Sequence, residues 1–171
     1  MIASPWRRLV AWLIDWAAIL GWAAVTAAVG VPLVLSGAVA RVGPVVLNVV
    51  SALVLVVPVV AALSALEAGA GQGSLGKRAL GLKVRDRASD GRVRLRRAVL
   101  RNALKVGAPW TLGHVAVIAI VATSARTVAP IWLWPLAAAA YVLPVALVVS
   151  LFVGSRRALH DRVAGTVVTD R

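Results

Sequence analysis

Few residues of this 171-residue chain can do chemistry, and each stands in an unusual setting. There are six acids, two histidines and no cysteine, which excludes a thiol nucleophile, a disulfide framework and every thiolate metal site. Asp15 interrupts an otherwise uncharged apolar run, about 9 Å beyond Leu9 at 1.5 Å per residue. An acid at that depth in a bilayer costs about 3 kcal/mol on insertion scales, so something must offset it. Arg8 lies two helical turns earlier on the same face and marks the interface beneath Asp15. Two candidates remain for a direct partner: His114, which enters a later apolar run at a similar depth, and the basic tail around His160 and Arg162. An acid beside a histidine is a proton-coupling pair, because imidazole titrates near neutral pH; the other reading is an ion pair that fixes helix packing. Glu67, where a second apolar run ends, reads as a solvated helix end.

The segment Gly71-Gln-Gly-Ser-Leu-Gly-Lys-Arg78 satisfies G-x-G-x-x-G and the first seven positions of a P-loop. Both matches fail on context, since Arg78 stands where a hydroxyl must hold magnesium and no strand precedes the glycines. A glycine-rich turn remains, with Ser74 as a helix cap. Its amides, with Lys77 and Arg78, offer a seat for a phosphate such as a lipid head group, and Arg97 and Arg101 extend the same basic surface. No Ser-His-Asp arrangement and no metal-ligand spacing is present, so neither catalysis nor a metal or cofactor is expected.

The elements that carry these residues are dictated by hydropathy. The mean hydropathy is +0.90, with 61% hydrophobic and only 15% charged residues, against roughly 25% charged in ordinary soluble domains. Runs over 9–35, 45–66, 106–125 and 127–153 are long enough to cross a hydrocarbon core of about 30 Å. Spans are expected at about 9–31, 45–66, 106–125 and 131–153, the first ending by Val31 because Pro32 follows. Pro58, Pro135 and Pro144 lie inside later spans, as kinks or as prolines that membrane helices tolerate. The apolar stretch after Arg7 and Arg8 is too long for a signal-peptide core and contains an acid, so it reads as a retained span.

With four crossings, the N-terminus, the loop 67–105 and the tail 154–171 share one side, which collects 17 of the 19 basic residues. The positive-inside rule makes that side cytoplasmic, with short outer loops near 36–44 and 126–130; the location expected is the inner, plasma membrane. The net charge of +13 is thereby accounted for by topology and by attraction to anionic lipid, and no nucleic-acid partner is expected. Small residues at Ala17, Gly21 and Ala24, and at Ala137 to Ala140, provide faces for close helix packing, within the chain or in a homo-oligomer or larger complex.

Within the loop, residues 82–85 and 92–96 alternate with period two around Ala88-Ser89-Asp90-Gly91, which predicts a short hairpin with Gly91 at positive φ. Thr166 to Thr169 predicts a third strand able to pair with it. From Arg97 onward, Val99, Leu100 and Leu104 oppose Arg97, Arg101 and Lys105, an amphipathic lead-in to the third span. The fold class expected is an all-α integral membrane protein of four spans, N-in and C-in, with a small cytoplasmic cap of hairpin and tail strand.

Several segments taken together resemble the RDD family of bacterial membrane proteins, named for one arginine and two aspartates. They are Trp6 to Asp15, Gly71 to Val84, Arg97 to Asn102 and Arg157 to Val168. The resemblance assigns the arginine to Arg8, the first aspartate to Asp15 and the second to Asp161, with Asp86 as its rival. It implies a transport-related function, cation/proton exchange or small-solute movement, or an accessory role in a membrane complex. His114 lies outside these motifs, which favours the tail as partner of Asp15. If the segment His160-Asp161-Arg162 folds back under the bundle, it would gather Arg8, Asp15 and Asp161, with a base from the loop, into one charged cluster.

Overall fold

The computed structural model describes residues 2–124, 128–153 and 157–170. Arg126, Arg156 and Arg171, which enter the charge count above, lie outside these residues, as does part of the second outer loop. Helix α1, Pro5–Leu35, opens with a proline in its first turn, where the missing N–H is no loss. It runs through Pro32 rather than ending at Val31, because a proline one turn from the end removes a single hydrogen bond from the last turn. Helix α2, Pro44–Ala68, also opens on a proline and carries Pro58 inside it. A one-turn helix α3, Leu75–Ala79, leads into strand β1, Leu82–Asp86.

The third long helix takes in the amphipathic lead-in expected from Arg97 and starts two residues before it. Helix α4, Leu95–Asn102, continues through a wide, π-type turn at Ala103–Gly107 into α5, Ala108–Thr123. The 29 residues from Leu95 to Thr123 form one helix long and apolar enough to cross a membrane, as do α1 and α2. Helix α6, Leu133–Val149, is apolar but has 17 residues, about 25 Å of helix. Helix α7, Leu159–Ala164, and strand β2, Thr166–Asp170, complete the chain, with Gly165 at φ 65° making the reversal between them.

The outer surface of the long helices is apolar, with Leu13, Leu20, Val121 and Tyr141 each more than half exposed. Only 6% of the most apolar stretch of α1 is buried, a surface suited to lipid and not to water. A small core between the long helices joins Ile19, Val59, Leu63 and Val106, with Trp16 stacked on Trp110 at 5.8 Å between ring centres.

The polar cap differs from the expected hairpin. Strand β1 pairs antiparallel with β2, Leu82 opposite Asp170 through Asp86 opposite Thr166, while Arg92 makes only an isolated bridge with Arg85. The period-two signal in 92–96 is overridden because Leu95 starts α4; Val93 is buried in the cap and Leu95 is exposed. In the intervening turn Asp90, not Gly91, takes positive φ. Ala3 donates its N–H to Val168 O at 3.0 Å, so the N-terminus, the loop and the tail meet in one cap. Its core is Ala3, Ala11, Leu82, Val84, Val93, Ala98 and Val168.

Candidate functional site

Where the cap meets the long helices, charged side chains are buried together. On α1 the inward face is Arg8, Ala11, Asp15 and Ile19, spaced by three and four residues as one helical face requires. On α4 the inward face is Ala98, Arg101 and Asn102, with Lys105 one turn on. The amphipathic segment is therefore turned opposite to a water-facing helix: Val99 and Leu100 are about 40% exposed and Arg101 is 1% exposed. Lipid on the outside makes the apolar face the outer one.

Arg101 is the hub. Its Nε donates to Asp161 Oδ1 at 2.7 Å and its Nη1 to Glu67 Oε1 at 2.6 Å. Asp161 also takes the Arg8 guanidinium and the Thr166 hydroxyl, the latter at 3.2 Å. Glu67 also accepts from Lys77 Nζ at 2.6 Å and from Asn102 Nδ2 at 3.0 Å. Lys77 reaches Ser74 Oγ at 3.2 Å, and Ser74 donates to Asp15 Oδ2 at 2.7 Å. Asp15 Oδ1 accepts the Gly76 N–H at 2.9 Å, and Lys105 Nζ stands 3.7 Å from Oδ2. Four cations and three carboxylates from α1, α2, α3, α4, the π-type turn and α7 thus form one network.

Several expectations are corrected here. Asp15 is bonded neither to His114, whose Nε2 is 3.3 Å from Asn48 O, nor to the tail; its partners come from the glycine-rich turn. Ser74 does not cap α3 with its side chain, because its hydroxyl is committed to Asp15. Glu67 is not a solvated end but fully buried, since Lys77, Arg101 and Asn102 surround it. Of the residues expected to meet lipid phosphate, Ser74, Lys77 and Arg101 face inward, whereas Arg78 is exposed and folds over Gly71 towards Leu66 O. Arg97 pairs with Asp86 at 2.6 Å, a second and separate link. Glu67 and Lys105 were not among the expected site residues, yet both join the network. The signal was their spacing from Ser64 and Arg101, three and four residues respectively, which repeats polar side chains along one face.

The sequence signature of the RDD family matches residues 2–165. The chain belongs to the RDD family. No curated protein and no solved structure matches it. In this RDD protein Asp161, not Asp86, shares a network with Arg8 and Asp15. Among the described residues no group of three histidine or acidic side chains is placed to hold a metal ion.

Outside the long helices the electrostatics are legible. Burial by itself would raise the Asp161 carboxyl, but the guanidiniums of Arg101 and Arg8 outweigh it and hold the group well below the usual carboxylate range. The amides of Ala88 and Ser89, with Arg97, depress Asp86 as well. His160 is pushed down from 6.5 to about 3 by burial, with Arg101, Lys105 and Arg8 adding to the effect. Asp161, with Oδ1 3.8 Å from His160 Nε2, opposes this only in part.

The unfolded chain protonates His160 below about pH 6.5, whereas the folded chain resists until about pH 3. Its contribution to stability is thus complete above pH 6.5 and is lost as the pH falls towards 3. The melting midpoint in neutral detergent should fall between pH 7 and pH 4.5, and His160→Gln should flatten that fall. An equally steep fall in the variant would assign the pH dependence to other groups.

Proposed function

We propose that this RDD protein has a transport-related role, moving a proton, cation or small solute, with Asp15 as the membrane-embedded acid. In this reading it is a four-span protein of the inner membrane, with both termini and the basic cap in the cytoplasm, and it performs no enzymatic step. What supports the reading is the position of Asp15. Besides its bonds to the glycine-rich turn, it lines a crevice of about 230 Å3 between α1 and α2, whose other walls are apolar and include Pro58. Ionisable groups inside a membrane bundle are expensive, and a need for packing alone would be met as well by apolar side chains. Glu67 and Asp161 each take a cation at hydrogen-bond distance, whereas Lys105 Nζ stands 3.7 Å from Asp15.

The test is internal pH in proteoliposomes while sodium, potassium or lithium is added outside. Cation-dependent proton movement above that of protein-free vesicles is expected. Folded protein that is silent with every cation would end the exchange reading.

A second reading, a non-catalytic accessory subunit of a larger complex or homo-oligomer, is favoured by a different observation. Arg87, Arg92, Arg94 and Arg96 are exposed on the cap, a surface suited to anionic lipid or an acidic partner.

A further inference from the structure

A cavity of about 60 Å3, distinct in its lining from the Asp15 crevice, is walled by residues of α1, α3, α4, the π-type turn, α5, α6 and α7. Its wall has two unlike parts. Arg8, Lys77, Arg101 and Lys105 line one, together with His160, and none of the network's three carboxylates lines it. Trp12, Pro144, Leu147 and Leu151 make up the other, with α6 packed chiefly on α5.

The charge count gives the cavity its chemistry. All six acids of the chain are engaged: three in the network, and Asp86, Asp90 and Asp170 with Arg97, Arg85 and Arg7. The three network carboxylates are already shared among Arg8, Lys77, Arg101 and Lys105, so the polar part of the lining is basic. Basic groups on a cavity wall are stabilised by an anion or by water held there. His160 adds an observation independent of the charges: it is 6% exposed, and its Nδ1 has no hydrogen-bond partner among the described residues. A space of this size takes a carboxylate or phosphate group or a few waters, not a whole lipid.

We propose that this cavity binds the oxyanion head of an anionic amphiphile, with Lys105 and its neighbouring bases on the head and Trp12, Leu147 and Leu151 against the hydrocarbon. The head comes from a membrane phospholipid, from a fatty acid, or, without a tail, from free phosphate. The proposal goes beyond the transport reading and does not rest on it, because binding is measured without flux.

Native mass spectrometry of the full chain in neutral detergent tests it, with phosphatidylglycerol, phosphatidylcholine or oleate added, and a parallel melt with inorganic phosphate. One tightly held adduct is expected for an anionic amphiphile, at least tenfold favoured over phosphatidylcholine. Which of phosphatidylglycerol and oleate is retained identifies the source, and stabilisation by phosphate equal to that by either would make the tail dispensable. Lys105→Gln should lose the adduct. If that variant does not fold, Leu147→Phe, which narrows the apolar wall and leaves every charge in place, should lose it too. Arg41→Gln removes an exposed charge between α1 and α2, outside the cavity and the basic cap, and should leave it intact. No preference for anionic amphiphiles or phosphate in the wild type, or equal loss in the surface variant, would overturn the proposal.

Discussion

Replacing Arg101 by Met should destabilise the fold by about 3–5 kcal/mol, the cost of breaking a buried ion pair from one side. The reason is local. Arg101 is 1% exposed and bridges Glu67 on α2 to Asp161 on α7, so its loss leaves two fully buried carboxylates with fewer cations. Arg101→Lys should recover part of the loss and not all, because an ammonium lacks the planar fork that spans two carboxylates from one side chain. Unfolding in mixed micelles, followed by helical signal, measures both. A loss below about 1 kcal/mol for Arg101→Met would mean that the network is solvated and adjustable, against its burial here.

A comparable effect is expected from a single methyl group at Gly76. A Cβ built there would overlap the Ala11 carbonyl oxygen and stand 2.8 Å from the Ala11 carbonyl carbon, and a backbone atom cannot swing aside. Helix α3 would have to lift from α1, which also breaks the Gly76 amide bond to Asp15. Overpacking of about 1–3 kcal/mol and a lost charge-assisted hydrogen bond of about 1.5–3 kcal/mol act together in Gly76→Ala. Gly21→Ala is the matched control on α1, because nothing lies within 4 Å of a Cβ there. Equal melting midpoints for the two variants would show that α3 does not pack on α1 as described.

The membrane helices were legible in the sequence because hydropathy is a local property: a run of apolar residues identifies its own solvent. The burial of Asp15 was legible for a related reason, since a charge within an apolar run demands a partner, and the return of the tail was legible in the strand pattern of Thr166 to Thr169. Partner identity was not. Asp15 was read against His114 and the basic tail around His160 and Arg162, yet it is held by Ser74 and a backbone amide, groups that carry no charge signal. Glu67 stands at a helix end, where sequence alone does not distinguish solvation from burial; three residues distant in the chain decide it. Arg101 was read as part of an outward basic surface, yet with lipid outside, α4 turns Val99 and Leu100 outward and Arg101 inward. Residues 92–96 alternated like a strand, but β1 takes its partner from the tail, a pairing set by chain reversal at Gly165.

In the transport reading Asp15 works as well as holds. The amide side chain introduced by Asp15→Asn would keep one oxygen for the Gly76 amide or the Ser74 hydroxyl and lose the charge that faces Lys105, so the fold should survive where ion handling does not. The deciding measurement takes flux and melting on one preparation of Asp15→Asn, reconstituted beside the wild type. Proton movement at the level of empty vesicles is expected, with a folded protein and a melting midpoint lowered by only a few degrees. Wild-type flux in the folded variant would contradict the transport reading and leave Asp15 as a joint between helices.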